Sequence, residues 1–142
     1  MIVYTDKTLD LTPAGKAYGP ADAVLAGGTA VVPASGAGFA DGKAIGGFGG
    51  KGKKEALFKV EASAAGPLQL SFFYSNTSMN SEKLKYSVNG KSGEFQLMPT
   101  YSAQSVEQTG ETIYLKQGGN EVRLYTDGGP ENRILLGPVS VQ

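Results

Sequence analysis

Histidine, cysteine and tryptophan are all missing from the 142 residues. Without histidine, the usual Ser-His and Cys-His nucleophile pairs and imidazole-ligated zinc are excluded. Without cysteine there are no disulfides and no thiolate metal sites, and cysteine usage says nothing of the redox compartment. An excess of charge is missing too: 13 lysines and arginines balance 13 aspartates and glutamates. A neutral chain sets up no field to gather nucleic acid or an anionic membrane. The single cationic cluster, Lys51-Gly52-Lys53-Lys54, reads as a solvated loop. No apolar run approaches the length of a membrane span. Sustained helical spacing of apolar residues is also absent.

What the chain does contain is alternation. In Leu68-Gln69-Leu70-Ser71-Phe72-Phe73-Tyr74-Ser75-Asn76, residues 68, 70, 72 and 74 form one continuous apolar face, because strand side chains point to opposite sides with a period of two. Burial of Leu68, Leu70 and Phe72 contributes about 1.5–3 kcal/mol each. Phe73 interrupts the polar face, so that face is expected to be partly covered as well. The apolar pattern stops at Asn76-Thr77-Ser78. Asn76 is either a polar group delivered to a loop-built binding site or a turn residue bonded to its own backbone.

Further short strands follow the same logic. Ile2–Tyr4 and Leu9–Leu11 read as strands at the N-terminal edge, and Thr29–Val32 and Ala56–Ala62 as strands further in. Residues 33–52 are dense in glycine but carry Phe39, Ile45 and Phe48, which indicates tight turns and close backbone packing. A Gly-x-Gly fragment in this stretch lacks the following helix and the Gly-Lys-Ser/Thr ending of a phosphate loop. Leu84, Tyr86 and Val88 alternate up to Asn89-Gly90, the strongest hairpin signal, and Phe95 and Leu97 return from it. Residues 99–110 read as a polar loop with one aromatic, Tyr101. Strands at Ile113–Leu115, Val122–Thr126 and Ile134–Val141 complete the chain, with loops at Gln117–Asn120 and Asp127–Pro130. The length suits one domain, and short strands with frequent turns predict an all-β, antiparallel β-sandwich.

The order of these pieces carries a resemblance. Asp22-Ala-Val-Leu-Ala-Gly-Gly, Gly38-Phe-Ala-Asp-Gly-Lys-Ala-Ile-Gly-Gly, Gly66-Pro-Leu-Gln-Leu-Ser-Phe-Phe-Tyr-Ser-Asn, Ser87-Val-Asn-Gly and Tyr114-Leu-Lys-Gln-Gly-Gly-Asn-Glu-Val-Arg-Leu follow one another in the chain. Together they resemble carbohydrate-binding modules of families 35 and 6, galactose-binding-like jelly rolls attached to secreted glycoside hydrolases. The likeness spans residues 19–142, with 1–18 adding edge strands to the same domain. It implies a saccharide ligand, an extracellular location, and a monomeric module within a multidomain chain. It also implies a site in loops at one end of the sandwich, where an aromatic plate meets a sugar's C–H face and amides meet its hydroxyls. By position, Tyr101 stands near the family's frequent tryptophan and Asn132 near its ligand asparagine, with Asn76 close to the same rim and Phe39 and Phe48 as further walls. Each has a plainer reading: a ligand-free rim tyrosine, turn residues, and core phenylalanines.

The sequence departs from the family at two points. Any stacking plate has to be tyrosine or phenylalanine. The family's structural calcium takes acidic ligands at positions that here match Gly19, Ala21 and Gly137. A calcium ion needs several oxygen ligands, so this cofactor is expected to be lost, and no calcium-loop spacing links Asp22, Asp41 and Asp127. Three functions are consistent with the residues. They are a non-catalytic sugar-binding module, a structural or adhesive sandwich whose sugar site has degenerated, and a glycosidase with two opposed carboxyls. The last fares worst, because Glu55, Glu61 and Glu94 lie on strands among lysines, where solvated charge is the rule.

Overall fold

The computed structural model describes residues 12–13, 16–34, 39, 42–102, 105–128 and 134–142. The expected strands at Ile2–Tyr4 and Leu9–Leu11 lie outside this set, as does Asn132. The described residues form twelve strands: β1 (Thr12–Pro13), β2 (Lys16–Tyr18), β3 (Val24–Ala26), β4 (Ala30–Pro33), β5 (Lys43–Gly46), β6 (Lys53–Ala62), β7 (Gly66–Asn76), β8 (Glu82–Val88), β9 (Lys91–Leu97), β10 (Glu107–Leu115), β11 (Gly118–Asp127) and β12 (Ile134–Val141). A single 3-10 turn, Pro20–Asp22, is the only helical element among the described residues.

Two six-stranded sheets face each other. The first runs β1-β6-β11-β8-β9, with β3 also on β6; the second runs β10-β7-β12-β5-β4, with β2 on β12. β1 and β6 pair in parallel, and the other described pairs are antiparallel. The alternation in β7 does what its sequence dictates: Leu70, Phe72 and Tyr74 enter the core, while Phe73 stays outside and is 41% exposed. Phe72 meets Phe95 of the opposite sheet edge-on, centroids 4.9 Å apart at 85°, a geometry that suits the ring quadrupoles. Tyr18 packs edge-on against Phe58. Burial, and then the nearby Asp22 carboxylate, push the Tyr18 hydroxyl up to about 12, so it stays a neutral core residue.

β12 is an interior strand that contains a proline. Its register shifts between Leu136 and Val139, so Gly137-Pro138 sits in a bulge, the setting in which a strand tolerates a missing N–H. Residues on the outer face of the second sheet form a smaller apolar cluster of Phe39, Ala34 and Ala44, joined by Val32, Val106 and Leu135. Gly137 makes room for it, since a Cβ there would lie 2.5 Å from two ring carbons of Phe39.

Several boundaries differ from the sequence-based expectation, among them residues 118–120, which open β11, and Lys53 and Lys54, which open β6. Residues 107–110 are strand, not loop: Glu107 to Gly110 pair with Tyr74 to Ser71 along the sheet edge. An edge strand exposed on its outer side needs no apolar alternation there. β5 forms inside the glycine-rich stretch, with Ala44 and Ile45 fully buried between β4 and β12.

The Asn89-Gly90 turn has φ +51° and +90°, as a two-residue hairpin with mirror-image turn geometry requires. It is stitched to β11 as well. Asn89 Nδ2 donates to Asn120 Oδ1 at 2.7 Å, and Glu121 N donates to Asn89 Oδ1 at 3.2 Å. A Cβ at Gly90 would meet nothing within 4 Å, so substitution there tests the backbone alone. Gly90→Val forces a β-branched residue into the left-handed region at a cost of about 1–2 kcal/mol, and the thermal melt is expected to fall by several degrees. Gly90→Asn should fall much less; equal melts for the two variants would contradict the turn assignment.

Candidate functional site

The end of β7 builds one rim of the sandwich. Asn76 is fully buried there, and a buried amide is costly unless its donors and acceptors find partners. All of its capacity is taken. Nδ2 donates to the carbonyls of Asn80 (3.0 Å) and Leu97 (3.1 Å). Oδ1 accepts from Ser78 N (3.0 Å) and Ser78 Oγ (2.7 Å). One side chain thus fastens the β7–β8 turn to the end of β9. Of the two roles open to Asn76, the geometry is that of the turn residue, with no amide atom left over for a ligand.

The loop after β9 hangs from the same strand. Met98 N donates to the Tyr74 hydroxyl at 3.1 Å. Burial raises the pKa of that hydroxyl, the Met98 N–H opposes the rise, and the Glu107 carboxylate adds to it. Two residues on, Thr100 N donates to Asn76 O (2.8 Å), and Asn76 N donates to Thr100 Oγ1 (3.0 Å). The Thr100 hydroxyl proton has Ser102 O at 3.0 Å and Asn76 O at 3.2 Å. Between these fixed points lies Tyr101, at φ +64° and 75% exposed. A bulky side chain in the left-handed region is uncommon and marks stored strain. Met98, close by in sequence, and Met79, in the β7–β8 turn, are also exposed. Ile134 pairs with Asn76, so the chain re-enters the sheet beside this rim two residues after Asn132, which itself lies outside the described residues.

Phe39 and Phe48 depart from their expected role. Phe48 is 2% exposed within the main core, and Phe39 is 7% exposed against Gly137 and Leu135 in the outer cluster. Neither presents a ring face to a ligand, because each fills apolar space. Burial of this kind depends on what lies opposite, which a local sequence window does not show.

The acidic candidates for catalysis stay apart from the rim. Glu55 and Glu94 lie on the outer face of the first sheet, where Arg123 Nε contacts Glu55 Oε2 at 3.0 Å and Lys83 reaches Glu94 at 3.6 Å. Among the described residues no three acidic side chains converge on a common point. The calcium positions implied by the resemblance fare no better. Gly19 and Ala21 bring no side-chain oxygen, and the Phe39 ring occupies the space beside Gly137. The adjacent Asp22 carboxylate is turned back onto Gly19 N at 2.8 Å. These residues do not fit a calcium ion.

No protein-family model matches the chain, and no curated protein matches it in sequence. Solved structures do match in fold. A family 35 carbohydrate-binding module from Clostridium thermocellum superposes with a TM-score of 0.78 at 17% identity, covering 90% of this chain and 98% of that one. A family 35 module solved with a disaccharide containing glucuronic acid gives 0.77 at 18% identity, covering 89% and 91%. An exo-β-1,3-galactanase from Phanerochaete chrysosporium, solved with galactose, gives 0.76 at 20%, over 91% of this chain but only 29% of the enzyme. The two-sheet sandwich is therefore the fold of the family 35 carbohydrate-binding modules.

Proposed function

We propose that this domain is a non-catalytic saccharide-binding module whose ligand stacks on Tyr101. The observation that carries the proposal is the tyrosine itself, 75% exposed and held at φ +64° by a neighbour, Thr100, that is bonded on both sides. Left-handed geometry costs about 1–2 kcal/mol for such a residue, and the ring is too exposed for packing to offset it. A rigid aromatic plate on a polar rim suits the C–H face of a pyranose. Asn132 is the proposed hydroxyl partner. Asn76 acts as the buried support of the rim.

The ligand class is supported by a family 35 module of the same fold that was solved with a disaccharide containing glucuronic acid. The match to less than a third of a galactanase supports a role as an appended module that holds a secreted enzyme on its polysaccharide. We extend the proposal to calcium independence, on the side chains present at Gly19, Ala21 and Gly137. A second reading, a structural or adhesive sandwich, is favoured by the engaged amide of Asn76 and the buried rings of Phe39 and Phe48. A glycan array separates the two, since the scaffold gives no hit.

With the best array hit, calorimetric titration is expected to give about −4 to −8 kcal/mol, millimolar to micromolar. Tyr101→Ala should weaken binding about tenfold or more and leave the melt nearly unchanged. Asn76→Ala should do the reverse at the level of stability. It strands buried partners at about 1–3 kcal/mol each, so the melting temperature drops markedly. Unchanged affinity in Tyr101→Ala removes the tyrosine from the site.

A bound ion stabilises the folded state in proportion to RT ln(1 + [L]/Kd). Thermal melts with added calcium and with chelator are therefore expected to coincide. A drop in melting temperature with chelator would reveal a tight site that the donor set does not account for.

A further inference from the structure

The two outer faces of the sandwich differ in charge. On the first sheet, Arg123 bonds Glu55 and Glu121, and Lys83 reaches Glu94. On the second sheet, Leu70 and Phe72 of β7, Ile113 and Leu115 of β10 and Val141 of β12 enter the core, so the residues between them lie on the outer side. None of the described β7, β10 and β12 residues on that side carries a charge. The two carboxylates of β10, Glu107 and Glu111, pair with Tyr74 and Leu70 and so turn toward the core. Burial, and then the Glu111 carboxylate, raise the pKa of the Tyr86 hydroxyl on the opposite sheet, which agrees with that direction.

The uncharged face is a ladder of hydroxyls and amides. Thr112 Oγ1 donates to Gln69 Oε1 at 3.4 Å, and Ser71 Oγ lies 2.7 Å from Ser140 Oγ. Gly110 leaves room for this ladder: a Cβ there would lie 2.6 Å from Gln69 Nε2 and 3.1 Å from Ser71 Cβ. An aromatic ring stands toward each end. Phe73, opposite Gln108, is 41% exposed, and Tyr114, opposite Pro67, is 66% exposed. From Pro67 to Phe73 the strand covers roughly 20 Å, at about 3.3 Å per residue. The rings are thus separate plates on one long strip.

Charge and composition choose the occupant. An ionic partner finds no counter-charge on this strip, and interfaces with folded proteins are depleted in serine. A polysaccharide offers what the strip can accept: apolar C–H faces for the rings, and hydroxyls for the amides and hydroxyls between them. We propose that the outer face of the second sheet binds a neutral polysaccharide chain laid along β7 and β10, with Phe73 and Tyr114 as its two ring contacts. The ligand class rests on the saccharide-binding reading above, but the face shares no residue with the Tyr101 rim. A monosaccharide reaches one ring only, whereas a polymer makes the second contact intramolecularly.

The test is affinity electrophoresis through gels containing hydroxyethylcellulose, galactomannan or laminarin, with polygalacturonate as the anionic comparison. In the Tyr101→Ala background, at least one neutral polymer is expected to retard the domain more than polygalacturonate does. Adding Phe73→Ala or Tyr114→Ala, both at exposed positions, should weaken that binding about tenfold or more with the thermal melt nearly unchanged. In ¹H–¹⁵N spectra the same polymer should perturb the amides of residues 69–73 and 110–114. Retardation that survives both added substitutions, or equal retardation by polygalacturonate, would overturn the proposal. So would perturbation of these amides by raising protein concentration alone, which would show a second copy covering the face. The two sites fail separately. Binding lost in Tyr101→Ala alone sinks the sheet face, binding lost only in the Phe73 and Tyr114 variants sinks the rim, and no retardation of any variant or of the parent domain sinks both.

Discussion

A buried primary amide has to satisfy two donors and two acceptors, and at Asn76 that requirement organises one whole end of the molecule. The partners of Asn76 come from Ser78, Asn80 and Leu97, on either side of β8 and β9. Its backbone then fixes Thr100. Withdrawing any of these bonds would leave a polar group in a low-dielectric interior, so the loops have little freedom to rearrange. The strain at Tyr101 persists because its neighbours are over-determined in this way. Stability and presentation are thus coupled: the core strand that contributes Phe72 and Tyr74 to packing also sets where the exposed ring stands.

The opposite end has its own version of the same device. Asn120 is buried, and its Nδ2 donates to the carbonyls of Lys116 and Gly118 while its Oδ1 accepts from Lys116 N and Asn89 Nδ2. Two hairpins, one after β8 and one before β11, are locked together by two asparagines. In both places an amide closes a turn that glycine or strain has opened, with no disulfide or histidine available to do it. Beside Gly137, the Phe39 ring packs against β12 in space that a Cβ would fill.

How far the sequence foretold this varies with the range of the forces involved. The inward face of β7 and the Asn89-Gly90 turn were legible because each is set by residues next to one another. The start of β10 was not, since Glu107-Gln108-Thr109-Gly110 owes its extended form to the partner strand β7 and not to any apolar pattern of its own. Phe39 and Phe48 looked available because the burial of each is decided elsewhere in the chain, for Phe39 by a glycine about a hundred residues away. The reading of Asn76 stood open between ligand group and turn residue until its partners at Asn80 and Leu97 were known. Tyr101 was singled out as the lone aromatic in a polar loop, but nothing local announces a tyrosine at positive φ.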